Sequence, residues 1–199
     1  MRLKDNEAMT IDTKRPLTLA SGSPRRRELL ARMGYTFEIC TPDVDEHVTG
    51  HARDIVHTLA GRKARAAAAH YEDGVIIASD TLVSLDGAPL GKPADAREAR
   101  EMLAALSGRE HEVFTGVCVL DAKTGKSETR TVRTGVTFRD ITPEEIDAYI
   151  ATGEPMDKAG AYAIQGGAAP FVKALDGEFE NVVGFPVAEV REMLSGFGM

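Results

Sequence analysis

The sequence predicts an α/β fold built on one mixed sheet. Short apolar strands alternate with helical segments along the chain, which is typical of α/β domains. Two long strands, 111–121 and 128–138, flank the turn segment 122–126 and predict an antiparallel hairpin, so the sheet cannot be purely parallel. The chain has 199 residues, of which 43% are hydrophobic, and this is ample material for the core of a single domain.

The first half of the chain opens with a polar segment and then alternates strands with helices. Residues 1–15 are polar and mixed in charge, so we expect a flexible N-terminal extension before a single domain that spans 16–199. Ser23 followed by Pro24 is a typical helix start, because proline at the first helical position forfeits no hydrogen bond. The predicted elements are a strand at 17–20, a helix from Pro24 to a stop at Gly34, a strand at 35–40, a helix at about 52–71 and a buried strand at 74–79.

The second half combines the hairpin with three further helices. Thr142 and Glu145 have the spacing of a capping box, with Pro143 at the first helical position. The predicted elements are a helix at 95–106, the two hairpin strands, a helix from 142 to about 150, a Gly-rich segment at 160–170, a short strand near 171–172 and a last helix at 186–194.

The composition argues against several classes of function. A net charge of −7 opposes binding to nucleic acid or to an anionic membrane surface, and the absence of tryptophan argues against a base-stacking platform. No apolar run approaches the roughly 20 residues that a membrane span needs. Cys40 and Cys118 have neither metal-ligand nor redox spacing, which is typical of a reducing compartment. We therefore expect a cytoplasmic protein with no nucleic-acid or membrane partner.

The segment 23–27 is the strongest candidate site. The helix that starts at Ser23 presents N–H groups without partners inside the helix, and its dipole favours an anion there. Arg25, Arg26 and Arg27 follow, and the planar fork of an arginine matches the oxygens of a phosphate. A solvated helix face is the alternative, although positive charge at a helix N-terminus opposes the dipole. The pattern favours phosphate binding and does not distinguish the three arginines.

Asp80 is predicted to lie where the buried strand ends, and open α/β sheets place their sites at the carboxyl ends of strands. A carboxylate there can bind a divalent cation or act as a general base, but aspartate before threonine also commonly caps a turn. Lys63 on the Ala-rich helix and Lys92 in a loop are, taken singly, more often solvated than functional. The stretch 87–92 is not a Walker loop, because its glycine spacing is one residue short and Pro93 replaces the Ser or Thr.

Three further candidates are weaker. The acidic loop 43–46 offers carboxylates to a metal, but such loops usually face solvent. His47 and His51 stand four positions apart without a third ligand, which argues against zinc. Residues 157–167 mix small and polar side chains, which suits a wall where Gln165 reads the edge of a base, although a packed strand and turn is the simpler interpretation.

Seven short motifs, taken in order, resemble those of the Maf family of nucleoside triphosphate pyrophosphatases along about residues 17–195. Each motif alone is weak, but seven in this order and spacing are specific. The motifs lie at 19–26, 79–81, 91–93, 106–109, 152–155, 157–166 and 181–186. Two departures, the loop 167–170 and Phe185 in place of a common leucine, touch none of the proposed catalytic residues.

This resemblance implies a two-lobed fold of the inosine-triphosphatase type (Maf/Ham) around a central cleft, and a homodimer. It also implies a hydrolase that depends on a divalent metal and cleaves between the α- and β-phosphates, releasing a monophosphate and pyrophosphate. By motif, Asp80 corresponds to the catalytic base and, with Glu46, to the holder of Mg²⁺ or Mn²⁺. The positions that the resemblance places around the substrate are Ser23, Arg25, Arg26, Lys63, Thr81, Lys92 and Gln165, of which Arg25, Thr81 and Gln165 are associated with substrate choice.

The segment 157–166 resembles the subgroup that acts on dTTP and UTP rather than the subgroup that acts on 7-methyl-GTP. We therefore expect hydrolysis of dTTP and UTP, with modified pyrimidine triphosphates as an alternative substrate. An alternative of another class is a nucleotide-binding regulator of cell division and septum formation that acts through a protein partner. Turnover that is lost on substitution of Asp80, while folding is retained, would separate the enzyme from the regulator.

Overall fold

The computed structural model describes Ile11 and residues 15–199, and it contains one seven-stranded sheet. The strands are β1 (Leu17–Ala20), β2 (Glu38–Cys40), β3 (Val75–Leu85), β4 (Ala88–Leu90), β5 (Glu110–Asp121), β6 (Ser127–Phe138) and β7 (Val172–Asp176). Their order is β2-β1-β3-β5-β6-β7, with β4 paired to β3 beside this path. β1 is parallel to β2 and β3, whereas the other pairs are antiparallel. The mixed sheet and the hairpin are therefore confirmed.

The helices begin largely where local signals predict them. They are α1 (Pro24–Arg32), α2 (Ala52–Ala68), α3 (Ala96–Leu106), α4 (Pro143–Ala151), α5 (Phe179–Val183) and α6 (Val187–Gly196). The side chain of Asp95 caps α3 by accepting from the N–H of Glu98, and the capping box of Thr142 and Glu145 opens α4. β4 and α5 were not predicted. No helix within the described residues is long and apolar enough to cross a membrane.

The two faces of the sheet are covered differently. On one face, α2 packs alanines such as Ala60 and Ala64 against Ile76 and Cys118. On the other face, apolar side chains of α1, α3, α4 and α6 form the larger core, which includes the fully buried Phe138. Small residues let α2 approach the sheet closely, and this places one polar side chain of that helix, Lys63, beside the strands.

The start of the described chain is attached to the sheet. Ile11 forms an isolated parallel bridge with Tyr35, and the guanidinium of Arg15 pairs with Asp73 at 2.6 Å and with Asp121 at 2.8 Å. The predicted extension 1–15 otherwise lies outside the described residues, so its flexibility stays a prediction.

Candidate active site

A cavity of about 740 Å³ opens at a gap in the sheet along β3. β1 pairs with β3 only as far as Ile77, and β4 pairs with it only from Val83. Asp80, Thr81 and Leu82 lie in this gap and line the cavity. The volume falls in the range of about 300–1,000 Å³ that is common for small-molecule sites.

The prediction that Asp80 ends its strand is wrong. β3 continues to Leu85, and Asp80 lies in mid-strand opposite Gly116 of β5. Hydrogen bonds to β5 keep β3 extended beyond its apolar run, including at the polar residues Ser79, Asp80 and Thr81. Asp80 nevertheless lies past the last residue of β3 that pairs with β1, so the carboxylate borders the cavity. Because successive side chains alternate between faces, Asp80 points toward α2 and Thr81 points toward the opposite face.

Lys63 of α2 stands between two carboxylates. Its Nζ lies 2.7 Å from Oδ1 of Asp80 and 2.7 Å from Oε1 of Glu46. The side chains of Lys63 and Asp80 are only 15% and 13% exposed, whereas that of Glu46, on the loop before α2, is 61% exposed. The hydrogen bond from Lys63 lowers the pKa of the Glu46 carboxyl below its usual value, so this group is ionised at neutral pH.

These two carboxylates fit a divalent cation. An oxygen of each lies 2.7 Å from the position of the Lys63 ammonium, so one cation near that position can reach both. Mg²⁺ commonly uses one or two carboxylates and completes its shell with phosphate oxygens and water. Within residues 15–199 no cluster of three His, Cys, Asp or Glu side chains is placed to hold a metal. The donor set therefore suits a metal that arrives with a phosphorylated ligand.

The N-terminus of α1 faces the same cavity. Ser23 occupies the N-cap position with extended backbone, and its N–H donates to Oγ of Ser21 at 3.2 Å. Its side chain makes no capping hydrogen bond with the described part of the chain, so the N–H groups of the first turn are available to an anion. Arg25 and Arg26 line the cavity with Ser23, whereas Arg27 is exposed outside it.

Arg26 is anchored in the cavity wall by three of its N–H groups. Nε donates to the carbonyl O of Gly184 at 2.9 Å, and Nη1 donates to the carbonyl O of Ser79 at 2.7 Å. Nη2 donates to Oγ1 of Thr81 at 3.1 Å. Burial lowers the pKa of the guanidinium, but arginine remains charged in proteins. Arg26 thus joins α1 to β3 and to the turn after α5, and it brings a positive charge to the cavity.

The opposite wall is formed by the loop after β4 and by short 3-10 turns at Glu154–Asp157 and Ala159–Ala161. The N–H of Gly160 donates to the carbonyl O of Gly91 at 3.0 Å, which ties the two segments together. Gly160 has φ 67°, and a Cβ there would lie 2.8 Å from the side chain of Val83, so only glycine fits.

The cavity collects positive charge in an acidic protein. Its cationic lining residues are Arg25, Arg26, Lys63, Lys92 and Lys158, against the carboxylates of Glu46, Asp80 and Asp157. The whole chain carries a net charge of −7, so this local excess of cations is a specific feature of the site. A polyanion such as a triphosphate is the ligand class that it suits.

Gln165 is the one predicted site residue that does not line this cavity. Its side chain is exposed on a turn that packs against Glu154. The N–H of Gly167 donates to Oε2 of Glu154 at 2.9 Å, and a Cβ on Gly166 would lie 2.0 Å from Oε1 of the same carboxylate. The role of Gln165 in choosing the base therefore stays a prediction.

Several lining or supporting residues were not singled out from the sequence. Lys158, Tyr162 and Gly184 line the cavity and lie inside recognised motifs, but the motifs alone assign them no role. Thr115 and Asn181 are fully buried behind Thr81. Thr115 could have been identified from the sequence by its position, because it is a polar residue on the buried face of a strand otherwise rich in valine.

Comparison with known proteins agrees with these features. A protein from Moorella thermoacetica named dTTP/UTP pyrophosphatase is 51% identical over 185 residues, which cover 92% of this chain and 95% of the relative. Relatives of the same name from Pelotomaculum thermopropionicum and Bacillus cytotoxicus are 50% and 49% identical, over 92% and 88% of this chain and 96% and 92% of their own lengths. The family model described as Maf-like protein matches residues 16–197. The resemblance drawn from seven motifs is thereby confirmed, and the chain belongs to the Maf family.

Proposed function

We propose that the protein is a nucleoside triphosphate pyrophosphatase that hydrolyses dTTP and UTP to the monophosphate and pyrophosphate. One observation carries the proposal: the carboxylates of Asp80 and Glu46 line the same cationic cavity as the open N-terminus of α1. The relatives compared above bear this activity in their names. Modified pyrimidine triphosphates remain an alternative substrate within the same chemistry.

The triphosphate would lie between the N-terminus of α1 and the opposite wall. N–H groups that follow Ser23 would bind one phosphate, and Arg25 and Lys92 would neutralise charge from either side. Charge that builds on the departing pyrophosphate would meet these fixed cations, which is the main contribution a protein makes to phosphoryl transfer. Arg26 would act chiefly by holding α1 in place, because three of its N–H groups are already used.

Asp80 would orient the attacking water and accept its proton. The carboxylate lies beside the ammonium of Lys63 and lines the cavity, where a general base must lie to take this proton. Asp80 and Glu46 would also hold Mg²⁺ or Mn²⁺, and a divalent cation there would offset the negative charge of the phosphates. Lys63, which lines the same cavity beside these carboxylates, would supply a further positive charge to the phosphates.

A regulator of cell division that binds nucleotide without hydrolysing it is the alternative of another class. The names of the relatives favour hydrolysis. A homodimer and a cytoplasmic location stay predictions from the sequence, and neither enters the chemistry above.

Replacing Asp80 by asparagine tests the proposal. Loss of the base should lower turnover of dTTP by at least about a hundredfold, because general-base catalysis contributes 10²–10⁴-fold. The matched control is Asp86→Asn, the same change just beyond β3, where Asp86 pairs with Arg109 and has φ 51°, a conformation that asparagine tolerates. Turnover is measured as released pyrophosphate, and folding by urea unfolding. A folded Asp80→Asn protein within tenfold of wild-type turnover would refute the assignment of Asp80 as the base. A wild-type chain that binds dTTP without turnover would instead favour the regulator of cell division.

A further inference from the structure

Thr81 has its only hydroxyl proton committed to a buried neighbour. Oγ1 of Thr115 donates to the carbonyl O of Asn181 at 2.9 Å, and Oγ1 of Thr81 lies 2.9 Å from Oγ1 of Thr115. A threonine hydroxyl carries one proton, and a carbonyl oxygen can only accept. Because the proton of Thr115 goes to Asn181, the hydrogen bond between the two threonines must be donated by Thr81.

The second partner of Thr81, Arg26, donates to the hydroxyl oxygen and uses one of its two lone pairs. Nη2 of Arg26 donates to Oγ1 of Thr81 at 3.1 Å, and a guanidinium cannot accept. Thr81 therefore donates one hydrogen bond, accepts one and keeps one lone pair. Its side chain lies in the cavity lining and is partly exposed. Toward a ligand in the cavity, this hydroxyl can act only as an acceptor.

The hydrogen bonds from Thr81 to Thr115 and from Thr115 to Asn181 lie away from solvent, which preserves their direction. Thr115 and Asn181 are 0% exposed, so no bulk water competes for their hydrogen bonds. Nδ2 of Asn181 donates to the carbonyl oxygens of Val113 and Val132, at 3.2 Å and 3.4 Å, which anchors the residue that receives the proton of Thr115. Because each threonine hydroxyl proton in this buried network has one acceptor, the donor and acceptor roles at its exposed end, Thr81, are fixed.

We propose that Thr115 is a positioning residue for base selection: together with the carbonyl of Asn181 it holds Thr81 as an acceptor-only hydroxyl toward N3 of the base, which favours a base that carries N3–H. Uracil and thymine present N3–H on their hydrogen-bonding edge, whereas cytosine presents a lone pair at N3. An acceptor facing that lone pair would disfavour cytosine nucleotides. The proposal rests on the proposed function and deepens it, because it names the feature of dTTP and UTP that the site reads.

Thr115→Val is the direct test, because valine keeps the shape of threonine and removes the hydroxyl. The proton of Thr81 then loses its buried acceptor and can be donated to cytosine N3. We measure equilibrium dissociation constants for UTP and CTP without metal, and kcat/KM for both with Mg²⁺. The preference for UTP over CTP should be tenfold or more in the wild-type chain and should fall at least tenfold in Thr115→Val. Thr115→Ser, which restores a hydroxyl, should keep the preference within about threefold of wild type.

Thr134→Val is the matched control for loss of a buried hydroxyl. Thr134 is also 0% exposed, and its Oγ1 accepts from Nδ2 of Asn181 at 3.1 Å and donates to the carbonyl O of Glu178. The same substitution there disturbs the network without touching the proton of Thr81, so the preference for UTP should persist.

Three results would overturn the proposal. They are a wild-type chain that does not distinguish UTP from CTP, an unchanged preference in folded Thr115→Val, and an equal loss in Thr134→Val. The ratio of the dissociation constants for CTP and UTP is measured without hydrolysis, so it tests the role of Thr115 separately from the proposed activity. A ratio that falls in Thr115→Val while no triphosphate is hydrolysed refutes the activity alone, whereas hydrolysis with an unchanged ratio refutes only the role of Thr115.

Discussion

Replacing Gly116 by alanine tests whether the close approach of α2 to the sheet positions Lys63. A Cβ on Gly116 would lie 2.2 Å from the carbonyl O of Val56 and 2.5 Å from its carbonyl C. Both atoms belong to the backbone of α2, so no side chain can rotate away to make room. Ordinary contact begins at 3.4 Å, so the helix and the strand must separate by about 1 Å.

This separation moves Lys63 away from the carboxylate of Asp80, the proposed catalytic base. Gly116 pairs with Asp80 across β5 and β3, and α2 carries Lys63, whose Nζ lies 2.7 Å from the Asp80 carboxylate. A shift of about 1 Å takes that contact beyond hydrogen-bonding distance. A misplacement of this size costs about a hundredfold in turnover, and overpacking of this kind costs about 1–3 kcal/mol of unfolding free energy. Activity should therefore fall far more than the folded fraction.

The assay is release of pyrophosphate from dTTP, expressed per folded molecule as judged by urea unfolding. Gly61→Ala is the control, because Gly61 lies on the same helix and the atoms nearest to its Cβ would belong to the guanidinium of the exposed Arg65, at 3.2 Å or more. That change should leave turnover unaltered and raise the unfolding free energy by about 0.5–1 kcal/mol. A folded Gly116→Ala protein within threefold of wild-type turnover would show that the close approach of α2 does not position Lys63 for catalysis.

Two further predictions concern His111 and Gln165. Burial lowers the pKa of His111 from 6.5 to about 4, so as the pH falls the unfolded chain takes up this proton first. From pH 7 to pH 4 the contribution of His111 to the unfolding free energy should fall by up to about 3 kcal/mol. Urea titrations should therefore show a smaller fall in His111→Gln than in the wild-type chain, and an equal fall would contradict the linkage. Gln165→Ala should reduce the preference for dTTP over dGTP by at least about tenfold in kcat/KM, and an unchanged preference would remove Gln165 from base selection.

Features set by neighbouring residues were predictable from the sequence. The capping side chains of Asp95 and Thr142 act within three residues of themselves, so the starts of α3 and α4 follow from local pattern. The hairpin of β5 and β6 has a turn held by Asp121, whose carboxylate accepts from the N–H groups of Lys123 and Thr124. Such signals need no knowledge of the tertiary structure.

Features set by distant partners were not predictable. β3 runs through Asp80 because β5 supplies a ladder on its other side, and the apolar pattern alone stops earlier. Arg25, Arg26 and Arg27 share one local setting, yet Arg26 is anchored by the carbonyl of Gly184, far along the chain. The directed hydrogen bonds behind Thr81 likewise join segments that are distant in sequence.

Identification of both products of dTTP and UTP hydrolysis tests the central claim most directly. Purified protein is incubated with each nucleotide and Mg²⁺ or Mn²⁺, and the nucleotide and phosphate products are separated and quantified. We expect equal amounts of nucleoside monophosphate and pyrophosphate from each nucleotide. Nucleoside diphosphate with inorganic phosphate, or no hydrolysis of either nucleotide, would contradict it.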